Sequence, residues 1–342
     1  MKTQTTSKVI VYHDETEIRS LKGHVLLFIP RNLTIREEAT LYGPLQNDIE
    51  CRKLIYDKIM EVKENHSALD HKFEFSKISG KKWIKRDIAE RKMVDLGVDA
   101  LRKNRSQKFN APLCCKLAII YYPTSSKLKS YYKGTYKEII LEYDETLLRI
   151  LLKGAVHFLY DVNNQVEILK IITDGEPHHR KISEDRVIKR LLHREQAEIS
   201  SLQPYVKILD NAEIIPQSSD HRKYELDSEE YIDANMLQLA DMLLGSVNHS
   251  CYEEAVTSSS IPSIGSEVTN KKGIVAYSVK EMLDKEKERK SGFIYSSHYK
   301  SFTLSKATPQ NNGSWSFEDI TAKEVENHAD VNQLRLFNCA TK

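Results

Sequence analysis

Apolar positions along the chain fall into two spacings. Val9-Ile10-Val11-Tyr12, Val25 to Ile29, Leu113 to Tyr122 and Val166 to Thr173 are short, nearly continuous and rich in β-branched or aromatic residues. Such runs predict buried strands. Pro30 and Pro123 stop the second and third. Between the runs the spacing turns helical. Ile49, Leu54, Ile55, Ile59 and Val62 follow Gly43-Pro44, and Ile84, Ile88, Val94, Val98 and Leu101 form a second stripe. Ile139, Ile140, Tyr143, Leu147, Leu148 and Leu151 mark an amphipathic helix over 136–152. Ser183-Glu184-Asp185 would cap a helix whose apolar face is Val187, Ile188, Leu191 and Leu192. Asn235 to Gly245 reads as a helix closed by its glycine. Phe73-Glu74-Phe75 and Val206 to Leu209 read as short strands. Strands alternating with helices through Gly245 predict an α/β core with a mixed central sheet flanked by helices.

Past Val256 the composition changes. Val256 to Asn270 is rich in Ser and Thr, Lys280 to Lys290 is a charge-laced helix, and 295–304 with 314–317 suggest a small sheet of their own. The expected organisation is a core over 1–250, a mobile linker over 251–270 and an accessory α+β extension over 271–342.

No segment has the apolar length of a membrane span, and the first residues lack the apolar core of a secretory signal. A cytoplasmic protein is the expectation. Cys51, Cys114, Cys115, Cys251 and Cys339 form no Cys-x-x-Cys pair and read as reduced, packed thiols. Charge balances overall but not locally: residues 70–137 carry 17 Lys and Arg against 6 Asp and Glu. That excess includes Lys77, Lys81, Lys82, Lys85, Arg86 and Arg91, and a second basic group runs from His178-His179-Arg180-Lys181 to Arg194. It is either a solvated helix face or a surface for nucleic-acid phosphates.

Four carboxylates sit where carboxylates are costly. Asp14 and Asp174 close apolar strands, Glu74 lies between two phenylalanines, and Asp241 stands in a helix apolar almost all round. Two have a plain alternative, a polar turn for Asp14 and a salt bridge to a buried Arg or Lys for Asp241. If the four converge they repel one another unless a cation sits among them. Oxygen ligands of this type suit Mg²⁺ or Mn²⁺, and two such ions ~3.5–4 Å apart can hydrolyse a phosphodiester. His13 should face the opposite side of its strand from Asp14. His178 and His179 could contact phosphate. No P-loop, Gly-x-Gly-x-x-Gly or His-Glu-x-x-His motif occurs.

Asp14-Glu15-Thr16, Phe73-Glu74-Phe75-Ser76-Lys77, Ile172-Thr173-Asp174 and Leu237-Gln238-Leu239-Ala240-Asp241 resemble the signature of the domain-of-unknown-function family 3800. The likeness spans Val9 to Ser246, with Thr16-Glu17 where that family often has Ser-Gly. It implies a ribonuclease-H-like sheet and a metal-dependent nuclease in a mobile-element or anti-phage setting. Asp14, Glu74, Asp174 and Asp241 would be the ligands and catalytic residues. Lys77, Lys81, Lys82, Lys85, Arg86, Arg180 and Lys181 would hold DNA or RNA. The competing readings are an inactive nucleic-acid-binding or scaffold subunit, and a subunit active only with a protein partner in a defence complex.

Overall fold

The apolar runs become the middle of one sheet. The computed structural model describes residues 5–18, 21–35, 47–101, 115–123, 135–160, 164–175, 187, 206–208, 212–252, 260–290, 301–310 and 315–320. Strands β1 (Thr5–Ile18) and β2 (Leu21–Pro30) form an antiparallel hairpin, Val9 opposite Pro30 and Ile18 opposite Leu21. A two-stranded ribbon, β3 (Asn32–Ile35) and β4 (Asn47–Glu50), follows and leads into helix α1 (Cys51–Asn65). Helix α2 is Lys85–Leu101. Strand β5 (Lys116–Pro123) runs antiparallel to β2 on its outer side. Helix α3 (Tyr136–Leu159) then returns the chain to β6 (Asn164–Asp174), which lies parallel to β1. Thr135 caps α3 reciprocally: its hydroxyl accepts the Glu138 amide N–H at 3.4 Å, and Glu138 accepts the Thr135 N–H at 2.8 Å.

Strands β7 (Val206–Ile208) and β8 (Ile214–Gln217) both pair parallel to β6, at successive stretches of it. Helix α4 (Glu229–Tyr252) and helix α5 (Lys271–Lys290) follow. Strand β9 (Phe302–Pro309) runs parallel to β5, and β10 (Trp315–Asp319) closes the edge antiparallel to β9. The order across the mixed sheet is β10-β9-β5-β2-β1-β6-β7, with β8 also on β6.

Helices cover both faces, and strand alternation divides the core in two. Ile10, Tyr12, Val25, Leu27, Ile119 and Ile172 face α1, α2, α4 and α5. Val9, Val11, Leu26, Phe28, Ala118, Ile120 and Ile171 face α3. Each of these side chains is nearly or fully buried, worth about 1.5–3 kcal/mol for a large aliphatic or aromatic residue. Among the described residues no helix is long and apolar enough to cross a membrane. Cys51, Cys115 and Cys251 are buried free thiols; Cys114 and Cys339 lie outside the described residues.

Several expectations need correction. Among the described residues the C-terminal region makes no sheet of its own, because β9 finds an open edge on β5 and extends the central sheet. Helix α5 is not accessory either: it packs on α2 and α4, and the Lys271 ammonium meets Asp87 at 2.7 Å with both side chains buried. Residues 260–270, expected as linker, are held by hydrogen bonds of Trp83 to Ser266 and Gly265 and of Val268 to Lys81. Helix α4 does not stop at Gly245 but runs on to Tyr252. Phe73-Glu74-Phe75 is not a strand but leads into a 3₁₀ turn, Phe75–Lys77. The basic run is less available than its charge suggests: Arg91 is buried, 3.9 Å from Asp95, and Arg86 pairs with Glu90 at 3.2 Å. The helix expected after Ser183, the His178-His179 pair, Arg180 and Lys181 lie outside the described residues, apart from Val187.

Candidate metal centre

Asp14 does not close its strand. β1 continues to Ile18 against β2, whereas its parallel neighbour β6 ends at Asp174. The last pair of the β1–β6 register is His13 with Thr173, so Asp14 and Asp174 are the next residues along both strands. Side chains alternate, so both carboxylates lie on the α4 face with Tyr12 and Ile172. The chain turns away after Asp174 through Gly175, at φ +138°, a conformation that side-chain-bearing residues rarely adopt. The Ser219 amide donates to Asp174 Oδ1 at 2.9 Å, and the Glu15 amide donates to Asp14 Oδ1 at 2.7 Å.

Helix α4 supplies the third acid and anchors the fourth. The Phe75 amide donates to Asp241 Oδ2 at 2.8 Å. One turn earlier, Gln238 Oε1 accepts the Phe73 amide at 3.0 Å. One turn later, Gly245 meets the Phe75 ring so closely that a Cβ there would lie 2.3 Å from the ring. Residues 238, 241 and 245 share one helix face, and together they grip the segment that carries Glu74. Gly245 is therefore a packing glycine rather than a cap. Gln238 reaches further: its Nε2 donates to the Ser219 carbonyl at 2.7 Å and lies 2.9 Å from His221 Nδ1. Ser219 is the residue that holds Asp174, so one buried amide braces both the Glu74 and the Asp174 segments. The ammonium of buried Lys63 completes its surroundings at 3.0 Å.

The electrostatics tie the acids together. Burial raises the Asp14 carboxyl well above the ordinary carboxylate range, and the charges of Asp241 and Asp174 raise it further. Asp241 is pushed up to about 6, first by burial and then by Glu74 and Asp174, against the Phe75 amide, which lowers it. Asp241 therefore takes a backbone amide, not the buried Arg or Lys considered from the sequence. Asp233, two turns earlier on α4, has the opposite fate. It receives Arg52 at 2.9 Å, Lys170 at 2.7 Å and the Tyr12 hydroxyl at 2.6 Å. The cation beside Glu74 is Lys72, at 3.5 Å, and Lys77 is exposed.

The other face of the same strand ends carries a second cluster that the sequence reading did not find. His13 Nε2 lies 3.0 Å from His24 Nδ1, and His13 Nδ1 shares a hydrogen bond with Thr173 Oγ1 at 2.7 Å. Lys22 reaches Glu15 Oε2 at 3.0 Å and also contacts Asp144 of α3, which the Tyr122 hydroxyl contacts as well. Burial lowers His13 to about 3 and His24 to about 4, so both imidazoles are neutral at pH 7 and charged only in the acid range where Glu15 titrates. Glu15 is held down to about 2: its burial is outweighed by His24, Lys22 and His13. Among the described residues, His13, Glu15 and His24 are the one set of three metal-ligating side chains whose ligand atoms all lie within 4.8 Å. No three of Asp14, Glu74, Asp174 and Asp241 bring their oxygens that close together. Compared with protein-family models, curated proteins and solved structures, the chain matches none significantly.

Proposed function

We propose that the chain is a divalent-metal-dependent nuclease with a ribonuclease-H-like core, akin to the domain-of-unknown-function family 3800. Asp14, Glu74, Asp174 and Asp241 would hold Mg²⁺ or Mn²⁺. The observation that carries this reading is placement: Asp14 and Asp174 follow the last register pair of β1 and β6 on the face that α4 covers, and the charge of Asp174 raises both Asp14 and the Asp241 of that helix. Four carboxylates with a single cation beside them, Lys72 at Glu74, carry an excess of negative charge that suits a divalent ion. An antiparallel run β5-β2-β1, joined through α3 to parallel β6, is compatible with the ribonuclease-H-like arrangement. The donor set is all oxygen, which suits these ions. When bound, they would activate a water and stabilise the leaving oxygen of a phosphodiester. The protein's own part is positional. The Phe75 amide aims Asp241, the Ser219 amide aims Asp174, and Gln238 braces both segments. Exposed Lys77, Lys81, Lys82 and Lys85 would attract the nucleic-acid backbone.

A second reading, a nucleic-acid-binding or scaffold protein without catalysis, draws on the wider spacing of the four acids. A cleavage assay on labelled single-stranded, duplex and hybrid substrates, with Mg²⁺ or Mn²⁺ and with chelator, separates the two. The expected result is metal-dependent cleavage that falls at least about 100-fold in Asp14→Asn, since loss of even an outer-shell partner costs 10–100-fold. Full activity in that variant sinks the catalytic reading. Binding without cleavage on every substrate favours the second.

A further inference from the structure

We propose that the α3 face of the sheet holds a second cation site of different chemistry, formed by His13, His24 and Glu15 and suited to Zn²⁺ or a similar borderline-soft ion. It stands independently of the acids on the other face. Three observations carry it. The ligand atoms of the three residues all lie within 4.8 Å of one another. His13 Nε2 and His24 Nδ1 face each other at 3.0 Å, close to the roughly 3.3 Å that separates two nitrogens bound tetrahedrally at 2.0–2.1 Å from one zinc. Facing nitrogens so close hold at most one proton between them, and an ion takes its place. The third observation is the outer nitrogens. His13 Nδ1 already reaches Thr173 Oγ1 at 2.7 Å. His24 Nε2 is fully buried with no hydrogen-bond partner, 3.8 Å from Asp144 Oδ1. If the facing nitrogens ligate, both outer nitrogens carry protons, and each points towards an oxygen. Thr173 Oγ1 would then serve as one second-sphere acceptor, and Asp144, at 3.8 Å too far for a hydrogen bond, would have to move closer to serve as the other.

Other features suit such a site. The His24 ring is stacked on Tyr122, with centroids 5.7 Å apart, and is fixed in orientation. Lys22 is the competing cation at Glu15, but it contacts only Oε2 and has Asp144 as a second partner. Glu15 is a carboxylate with two oxygens, so Lys22 and an ion can share it. Two imidazoles and a carboxylate are a recurrent Zn²⁺ ligand set.

The test uses the full chain, stripped with chelator and titrated with Co²⁺ in excess Mg²⁺, which occupies the oxygen-only acids. The expected outcome is one equivalent of Co²⁺ with the intense visible bands of a low-coordinate nitrogen site, displaced by Zn²⁺. His24→Phe, which keeps the stacking on Tyr122, should abolish the bands. Glu15→Gln should weaken binding at least tenfold, and Asp241→Asn should leave the bands unchanged. X-ray absorption of the zinc-loaded wild type needs no variant and should show two imidazoles. The proposal is overturned if no stoichiometric binding occurs, if the scattering shows oxygen ligands alone, or if natively folded Glu15→Gln binds as tightly as the parent.

Discussion

Asp14 and Glu15 are neighbours on one strand, yet the two faces of the sheet treat them in opposite ways. Asp14 faces α4, lies in the field of Asp241 and Asp174, and is pushed up. Glu15 faces α3, meets Lys22 and two imidazoles, and is held down to about 2. Burial raises both carboxyls; the neighbours decide the net sign. One face has its charges compensated within the fold, and the other leaves like charges together. A feature that strains folding without a cation is better explained by binding than by stability.

The comparison breaks most sharply at Lys22. Replacing it with Met strands Glu15 and Asp144 against α3 without their cation. The expected loss is about 3–5 kcal/mol, the usual cost of removing one partner from a buried pair, measured by denaturant unfolding. A loss below 1 kcal/mol would mean this face is not held by its charges.

Gln238→Leu tests the α4 face without touching a carboxylate. It leaves the Phe73 amide, the Ser219 carbonyl and Lys63 without that partner. The expected destabilisation is about 2–3 kcal/mol, as for buried polar groups left unsatisfied. The rise in Tm on adding Mg²⁺ should shrink as well, because Glu74 and Asp174 lose their brace. A variant with unchanged Mg²⁺ response would show that the two segments are positioned by other contacts.

The smallest effect concerns pH. Asp241 titrates at about 6 when folded, above the ordinary carboxylate range, so the folded state binds its proton more tightly. That contribution is fully present below about pH 4, the unfolded value, and is lost as pH rises through about 6. Asp14 acts in the same direction. Without divalent ions, stability should therefore decline over this window, and Asp14→Asn should be about 1 kcal/mol more stable than the parent near pH 8. Mg²⁺ should stabilise the parent more at pH 8 than at pH 5. Thermal melts of both proteins at the two pH values, with and without Mg²⁺, check the signs. An Asp14→Asn protein less stable than the parent at pH 8 would remove the repulsion argument.

How much of this was legible in the chain follows from the range of the forces involved. The β1, β2, β5 and β6 strands were, because a run buried on both faces must be apolar throughout. Asp14, Glu74, Asp174 and Asp241 stood out by contrast with such settings. Gln238 has no local signal beyond its place in a motif, since its task is to join Phe73 to Ser219, segments far away in sequence. Gly245 looked like a cap because nothing local announces the ring of Phe75. Nothing in the His13–Glu15–Lys22–His24 hairpin itself announces an interior; only Tyr122 of β5 and Asp144 of α3 make it one. The place of β9 was hidden for the same reason: its strand pattern was visible, its partner was not.

That last pairing has a consequence for the protein's synthesis. Strand β5 is complete early, yet Leu117 waits for Phe302 to cover its outer edge. At about 5–20 residues per second, the ribosome needs roughly ten to forty seconds to supply the covering strand. Throughout that interval the nascent chain presents an apolar strand, Leu117 to Tyr122, with unpaired amides and carbonyls, the kind of edge that recruits other chains. Chaperone occupancy of ribosome-bound chains should accordingly peak between the emergence of β5 and that of β9, and a flat profile would show that some other segment shields the edge in the meantime.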